Sequence, residues 1–160
     1  MPVLIDGNNL LFAARAVEDP DRLMGRSMLC VALGDWARRR GERVHVIFDG
    51  PPPANGLAQQ IGAAGIRVSY SGGGVPADNA IEHELDQNSA ARRVWVVSSD
   101  REVARAAKRR RARPVRAEVF WRMLKRDLAR REPGPDEPAE KEAGLSEGDA
   151  EEWLRELGLE

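Results

Sequence analysis

Apolar residues gather in short runs that stop at an acid. Val3-Leu4-Ile5 runs into Asp6-Gly7, Val44-His45-Val46-Ile47-Phe48 into Asp49-Gly50, and Val94-Trp95-Val96-Val97 into Ser98-Ser99-Asp100. Runs of this length with little polar alternation predict strands buried on both faces. The segments between them carry helical spacing. Asn8 or Asn9 is placed to cap a first helix that reaches about Glu18. Asp21 to Arg40 reads as a longer helix, with Leu29, Ala32, Leu33 and Trp36 at helical spacing and Gly41 as its stop. Pro51-Pro52-Pro53 excludes regular structure just past the second strand. A short helix is expected around Leu57 to Ala64, a strand over Ile66 to Tyr70, and a flexible loop at Ser71-Gly72-Gly73-Gly74. Asp78 to Asn88 is predicted helical. Helices near Arg101–Arg110 and Glu118–Arg131 flank a short strand at Pro114–Arg116. Strands alternating with helices predict a three-layer α/β/α, Rossmann-like fold with a mostly parallel central sheet.

The organisation changes after residue 131. Residues 132–145 are rich in Glu and Pro and poor in large apolar side chains, so they are expected to be a disordered acidic linker. Residues 146–160 read as a short amphipathic helix. Ser146 with Asp149 resembles a capping box, Trp153, Leu154 and Leu157 form an apolar stripe, and Gly158 is the stop. Residues 1–131 are then the single folded domain.

Charge follows the same division. The chain of 160 residues carries a net charge of −1, but residues 132–160 hold eleven acids and two bases, which leaves the body basic. A basic body suits a polyanionic partner, and it equally suits a solvated, arginine-rich surface. Lys108-Arg109-Arg110-Arg111, with Arg113 and Arg116, is its densest stretch. It could contact an RNA backbone, or favour the negative end of a helix dipole. No apolar run approaches the ~20 residues of a membrane span. The first six residues lack the basic start of a secretory signal, so the expected compartment is the cytoplasm. The lone Cys30 falls in a helical pattern and reads as a buried structural thiol.

Asp6, Asp49 and Asp100 each stand just past a strand, where open α/β sheets bind ligands. Asp78 opens a helix after the Gly-rich loop, and Glu82 shares its face. Carboxylates crowded together repel and call for a cation. Hard oxygen donors with no Cys/His spacing suit Mg²⁺ or Mn²⁺ rather than zinc. Such an ion can activate water and offset charge on a phosphodiester. Taken singly, each acid also reads as an ordinary turn or helix cap. Ser98 reads as turn chemistry and Ser99 as a supporting phosphate contact. His45 and His83 lie in no triad context. The Gly-rich loop lacks the Lys-Ser/Thr of a Walker loop. Trp36, Trp95 and Trp121 read as core.

Asp6-Gly7-Asn8-Asn9, Val46-Ile47-Phe48-Asp49, Ala77-Asp78-Asn79-Ala80-Ile81-Glu82 and Ser99-Asp100-Arg101 occur in that order. Together they resemble the successive motifs of NYN domains, in the YacP-like branch of the PIN-like ribonuclease superfamily. The resemblance covers about residues 3–127. It implies a compact α/β/α fold and Mg²⁺- or Mn²⁺-dependent endonucleolytic cleavage of RNA, leaving a 5′-phosphate and a 3′-hydroxyl. It also implies mRNA as substrate, with the ribosome as a partner in some members, and no organic cofactor. Asp6, Asp78 and Asp100 match the catalytic acids, and Asp49 would ligate the metal directly or through water, with Glu82 beside them. Asn9, Ser99, Arg101 and the Arg109-Arg110-Arg111 stretch are the expected substrate contacts. Members often carry a second acid where this chain has Asn79, and an aromatic where it has Asn8. Asn79 keeps a second reading open: an NYN domain that binds RNA or the ribosome without cutting. A phosphotransferase with an aspartyl nucleophile is disfavoured, because the residue two places after Asp6 is Asn8, not a second acid.

Overall fold

The computed structural model describes residues 2–18, 24–53 and 65–130. Within them the apolar runs form five strands: β1 (Pro2–Asp6), β2 (Arg43–Phe48), β3 (Arg67–Tyr70), β4 (Trp95–Val97) and β5 (Arg113–Val115). Five α-helices accompany them: α1 (Gly7–Val17), α2 (Arg26–Arg40), α3 (Ala77–Gln87), α4 (Arg101–Arg109) and α5 (Ala117–Ala129). The sheet order is β3-β2-β1-β4-β5, and every neighbouring pair is parallel.

Alternation along the strands explains the layering. Val3 and Ile5 of β1, Val44, Val46 and Phe48 of β2, and Trp95 and Val97 of β4 turn to the face covered by α1, α2 and α5. Leu4, Ile47 and Val96 turn to the other face, against Ile81 and Leu85 of α3 and Val103 and Ala107 of α4. With both faces covered, the strands read as unbroken apolar runs. Trp36, Trp95 and Trp121 lie in this core. The Trp36 ring meets Phe120 edge-on, centroids 5.1 Å apart, and its Nε1 donates to the Asp127 carboxylate at 2.9 Å. Cys30 is buried, which pushes its thiol up to about 12.

Two helix starts differ from the sequence reading. The N-cap of α1 is Asp6 rather than Asn8 or Asn9, because the chain turns directly from strand into helix. Helix α2 begins at Arg26, after the capping Gly25, and Met24-Gly25 precede it as non-helical chain. The start of that expected helix (21–23), the expected helix at 57–64, and the linker and terminal helix at 132–160 lie outside the described residues. Among the described residues no helix is long and apolar enough to cross a membrane.

Candidate active site

In the order β3-β2-β1-β4-β5 the chain reverses direction across the sheet at β1, so a crevice opens between the carboxyl ends of β1 and β4. Asp6 ends β1 there and is buried. Its Oδ1 accepts from the Asn9 backbone N–H at 3.0 Å, which caps α1, and its Oδ2 accepts from Ser98 Oγ at 3.2 Å. Burial raises the Asp6 pKa from 3.8 to about 6. The two hydrogen bonds oppose that rise, and the charges of Asp78 and Asp49 add to it.

Asp49 follows β2. One carboxylate oxygen accepts from Asn8 Nδ2 at 2.7 Å, and the other accepts from the Ala77 N–H. Pro76 has no side chain that can cap α3, so Asp49 does so from a distant part of the sequence. The intervening loop is tied down by Gly72 N–H donating to Gly50 O at 3.0 Å. Gly50 and Gly72 both hold positive φ, 85° and 92°, a conformation that suits glycine. That tie brings Asp78, in the first turn of α3, to the crevice. Burial raises its pKa first, and then the charges of Asp100 and Asp49. Asp100 is the N-cap of α4, accepting from Glu102 N–H at 2.6 Å.

Asp6, Asp49, Asp78 and Asp100 are therefore linked by mutual repulsion at one edge of the sheet. Each carboxylate keeps lone pairs beyond its hydrogen bonds, and all the donors are hard oxygen. Among the described residues no three acidic, His or Cys side chains enclose a metal position. A divalent cation fits the chemistry of this set, since it would offset both the burial of Asp6 and Asp78 as charged groups and the repulsion that adds to it.

The other expected residues divide. Asn9 accepts from Ser99 N–H through its Oδ1 at 2.8 Å, so it latches the end of β4 to the start of α1. Ser99 Oγ donates to Glu118 and accepts from Ala117 N–H at 3.0 Å, which anchors α5. Burial alone would raise Glu118, but the Ser99 hydroxyl, its own amide and Arg116 outweigh that and hold its pKa below the usual value. Arg101 is exposed beside Asp100.

Glu82 is engaged elsewhere. Arg109 binds its carboxylate, and the acids that act on Asp78 are Asp100, Asp49 and Glu102. The Arg109-Arg110-Arg111 stretch stands away from the acids. It lies at the far end of α4, nine residues on from Asp100, which is about 14 Å of helix rise. It leads into the start of β5, at the amino edge of the sheet. Arg110 there donates to the Asp86 carbonyl at 3.0 Å and pairs with its carboxylate at 3.4 Å. Replacing Arg109, Arg110 and Arg111 with Ala is expected to leave turnover of a short single-stranded RNA unchanged. The exposed pairs lost would each cost no more than about 1 kcal/mol. A large fall in turnover of that short RNA would instead bring the amino edge into the reaction.

Three contributors have weak sequence signatures. Ser98, read as turn chemistry, donates to Asp6 and also accepts from Asp100 N–H at 3.1 Å. Asn8 holds Asp49, and Arg26 reaches across from α2 to Asn8. His45, at the other edge, hydrogen-bonds Ser69 at 2.6 Å and faces Glu84, as a structural histidine does. Its pKa is lowered by burial and by Arg67, against the pull of Glu84.

Comparison with known proteins agrees with this architecture. The model of the YacP-like NYN domain matches residues 3–154. Two crystal structures of Rae1 (YacP) from Bacillus subtilis are similar, one of them of a single-residue variant. That variant structure has 22% identity and a TM-score of 0.60, with 78% of this chain and 75% of that one covered. The other has 21% identity and a TM-score of 0.58, covering 80% and 77%. No curated protein matches.

Proposed function

The chain belongs to the YacP-like NYN family, a PIN-like ribonuclease family, and from that premise we propose that it is a Mg²⁺- or Mn²⁺-dependent endoribonuclease. The observation that carries the reading is the coupling of Asp6 and Asp78 at the topological switch point. Both are raised by burial and by neighbouring acids, with no cation paired to either among the described residues. Uncompensated acids of this kind cost stability, and perturbed acids converging on a crevice mark a functional site.

Asp6, Asp78 and Asp100 would hold the ion, with Asp49 direct or through water. A divalent ion there would supply the charge that offsets a phosphodiester in transit and lowers the pKa of water. The protein's own residues do the placing. Ser98 and the Asn9 N–H orient Asp6, Asn8 and the Ala77 N–H orient Asp49, and the Glu102 N–H orients Asp100. In the net reaction, water adds to phosphorus, the bond to the 3′-oxygen breaks, and the 3′-oxygen takes a proton. The products are a 5′-phosphate and a 3′-hydroxyl.

mRNA, free or on the ribosome, is the substrate proposed. The second reading, a non-cleaving RNA- or ribosome-binding module, rests on Asn79, which stands exposed next to Asp78. End-labelled RNA incubated with the full chain separates the two. Cleavage is expected with Mg²⁺ or Mn²⁺, none with a chelator, and background only for Asp78→Asn. RNA binding by wild type without metal-dependent cleavage would favour the module.

A further inference from the structure

A site built from acids repels its own substrate. The four aspartates and each backbone phosphate are all anionic, and one divalent ion offsets only part of that charge. A cation is needed at the same edge. Among the described residues Arg26, Arg101 and Arg116 stand near it. Arg116 faces Glu118, with Nε 3.5 Å from its carboxylate, and Arg101 is an exposed side chain on the first turn of α4.

Arg26 differs from both. It opens α2 and is half-buried, with its guanidinium over the Phe48 ring at 4.9 Å from the centroid. Its Nη2 donates to Asn8 Oδ1 at 3.3 Å and reaches the Asp49 carbonyl at 3.5 Å. Both acceptors belong to residues of the acidic crevice, and neither is a carboxylate. Among the described residues no carboxylate pairs with it, and its Nε and Nη1 take no hydrogen bond there, which leaves donors for a ligand. Asn8 fixes the arrangement from both ends. Its carbonyl oxygen faces Arg26, and its amide donates to Asp49 Oδ2. A phenyl ring at this position could make neither bond.

We propose that Arg26 is the phosphate anchor of the site, a guanidinium locked by Phe48 and Asn8 that binds an RNA backbone phosphate beside the acids. A planar fork already immobilised by stacking and hydrogen bonds loses little freedom when it takes the phosphate oxygens. Asn8 is the positioning residue. The proposal rests on the reading of this edge as the RNA-cleaving site, and its test is a binding measurement that does not need cleavage.

The test measures the affinity of the full-length chain for a short single-stranded RNA across a salt series. Ca²⁺ replaces Mg²⁺, and a gel confirms that the RNA stays intact. Arg26→Gln keeps a donor towards Asn8 and removes the charge. It is expected to weaken binding by about tenfold and to make the slope of log affinity on log salt shallower by about 0.7, one phosphate contact on a single strand. Arg26→Lys keeps the charge and is expected to keep the wild-type slope. A methylphosphonate walked along the RNA should weaken binding at one position in wild type and not at that position in Arg26→Gln. Wild-type affinity and slope in Arg26→Gln would overturn the proposal. So would an Arg26→Lys slope as shallow as that of Arg26→Gln, since the effect would then follow the helix contact and not the charge. Failure of the endonuclease reading is a separate result, wild type that does not cut with Mg²⁺ or Mn²⁺.

Discussion

Asp6→Asn is expected to abolish metal-dependent cleavage and, in metal-free buffer at pH 7, to raise the melting temperature. The carboxyl of Asp6 has an ordinary pKa of 3.8 and a folded-state value of about 6. The folded protein therefore holds a proton that the unfolded chain has released between those values. Stability contributed by the protonated form is complete below pH 3.8 and is lost as pH rises to about 6. Above that, ionised Asp6 costs the fold about 3 kcal/mol relative to an unperturbed carboxylate. Asparagine removes that cost and keeps the shape. Its carbonyl can accept from the Asn9 N–H and its amide can face Ser98 Oγ. The gain over wild type should be near zero at pH 4 and several degrees at pH 7, read from thermal melts across pH. A variant that melts below wild type at every pH would mean that the carboxylate stabilises the fold, against the present account.

Gly7→Ala is expected to be strongly destabilising, although alanine is the better helix former. A Cβ there would stand 2.5 Å from two ring carbons of Phe48 and 2.8 Å from Val46 Cγ1. Phe48 has no room to yield. It is fully buried, stacked on Tyr70 with centroids 6.0 Å apart, and carries the Arg26 guanidinium. Overpacking of this kind costs about 1–3 kcal/mol, a fall of roughly 5–10 °C at the upper end for a chain of this size. RNA affinity should fall as well, because the ring that moves is the one that seats Arg26. Gly73→Ala is the control, since its Cβ would meet nothing within 4 Å. Equal melting temperatures for the two variants would show that the β1–α1 turn is not closely packed on β2.

Much of this arrangement was legible in the sequence because burial on both faces leaves an unmistakable mark. Val3 to Ile5, Val94 to Val97 and, apart from His45, Val44 to Phe48 are apolar, so Asp6, Asp49 and Asp100 fall at strand ends. Parallel pairing then brings those ends to one edge. The Gly-rich loop marks the approach to Asp78, since Gly72 and Gly74 hold backbone that other residues rarely adopt. Contacts across elements left no such mark. Arg26 sits in no motif and is joined to the site only by folding α2 against β2. Ser98 looked like turn chemistry because its contact with Asp6 spans 92 positions. Arg109 to Arg111 was a conspicuous cluster, but the direction of α4 carries it to the opposite edge. Glu82 shares the Asp78 side of α3, yet α4 brings Arg109 to it. Local pattern thus located the acids, and tertiary packing chose their neighbours.

Calorimetric titration of the full-length chain with Mn²⁺ tests most directly whether the acids at the strand ends form one metal site. Asp6 titrates near pH 6, so an ion bound there must displace its proton. Run at pH 6 and pH 8 in buffers of different ionisation enthalpy, the titration should show saturable binding. It should release about half a proton or more at pH 6 and close to none at pH 8. Asp6→Asn should lose the proton release, and Asp78→Asn should lose most of the affinity. Binding that is absent in wild type, or identical in affinity and proton release in both variants, would contradict the account.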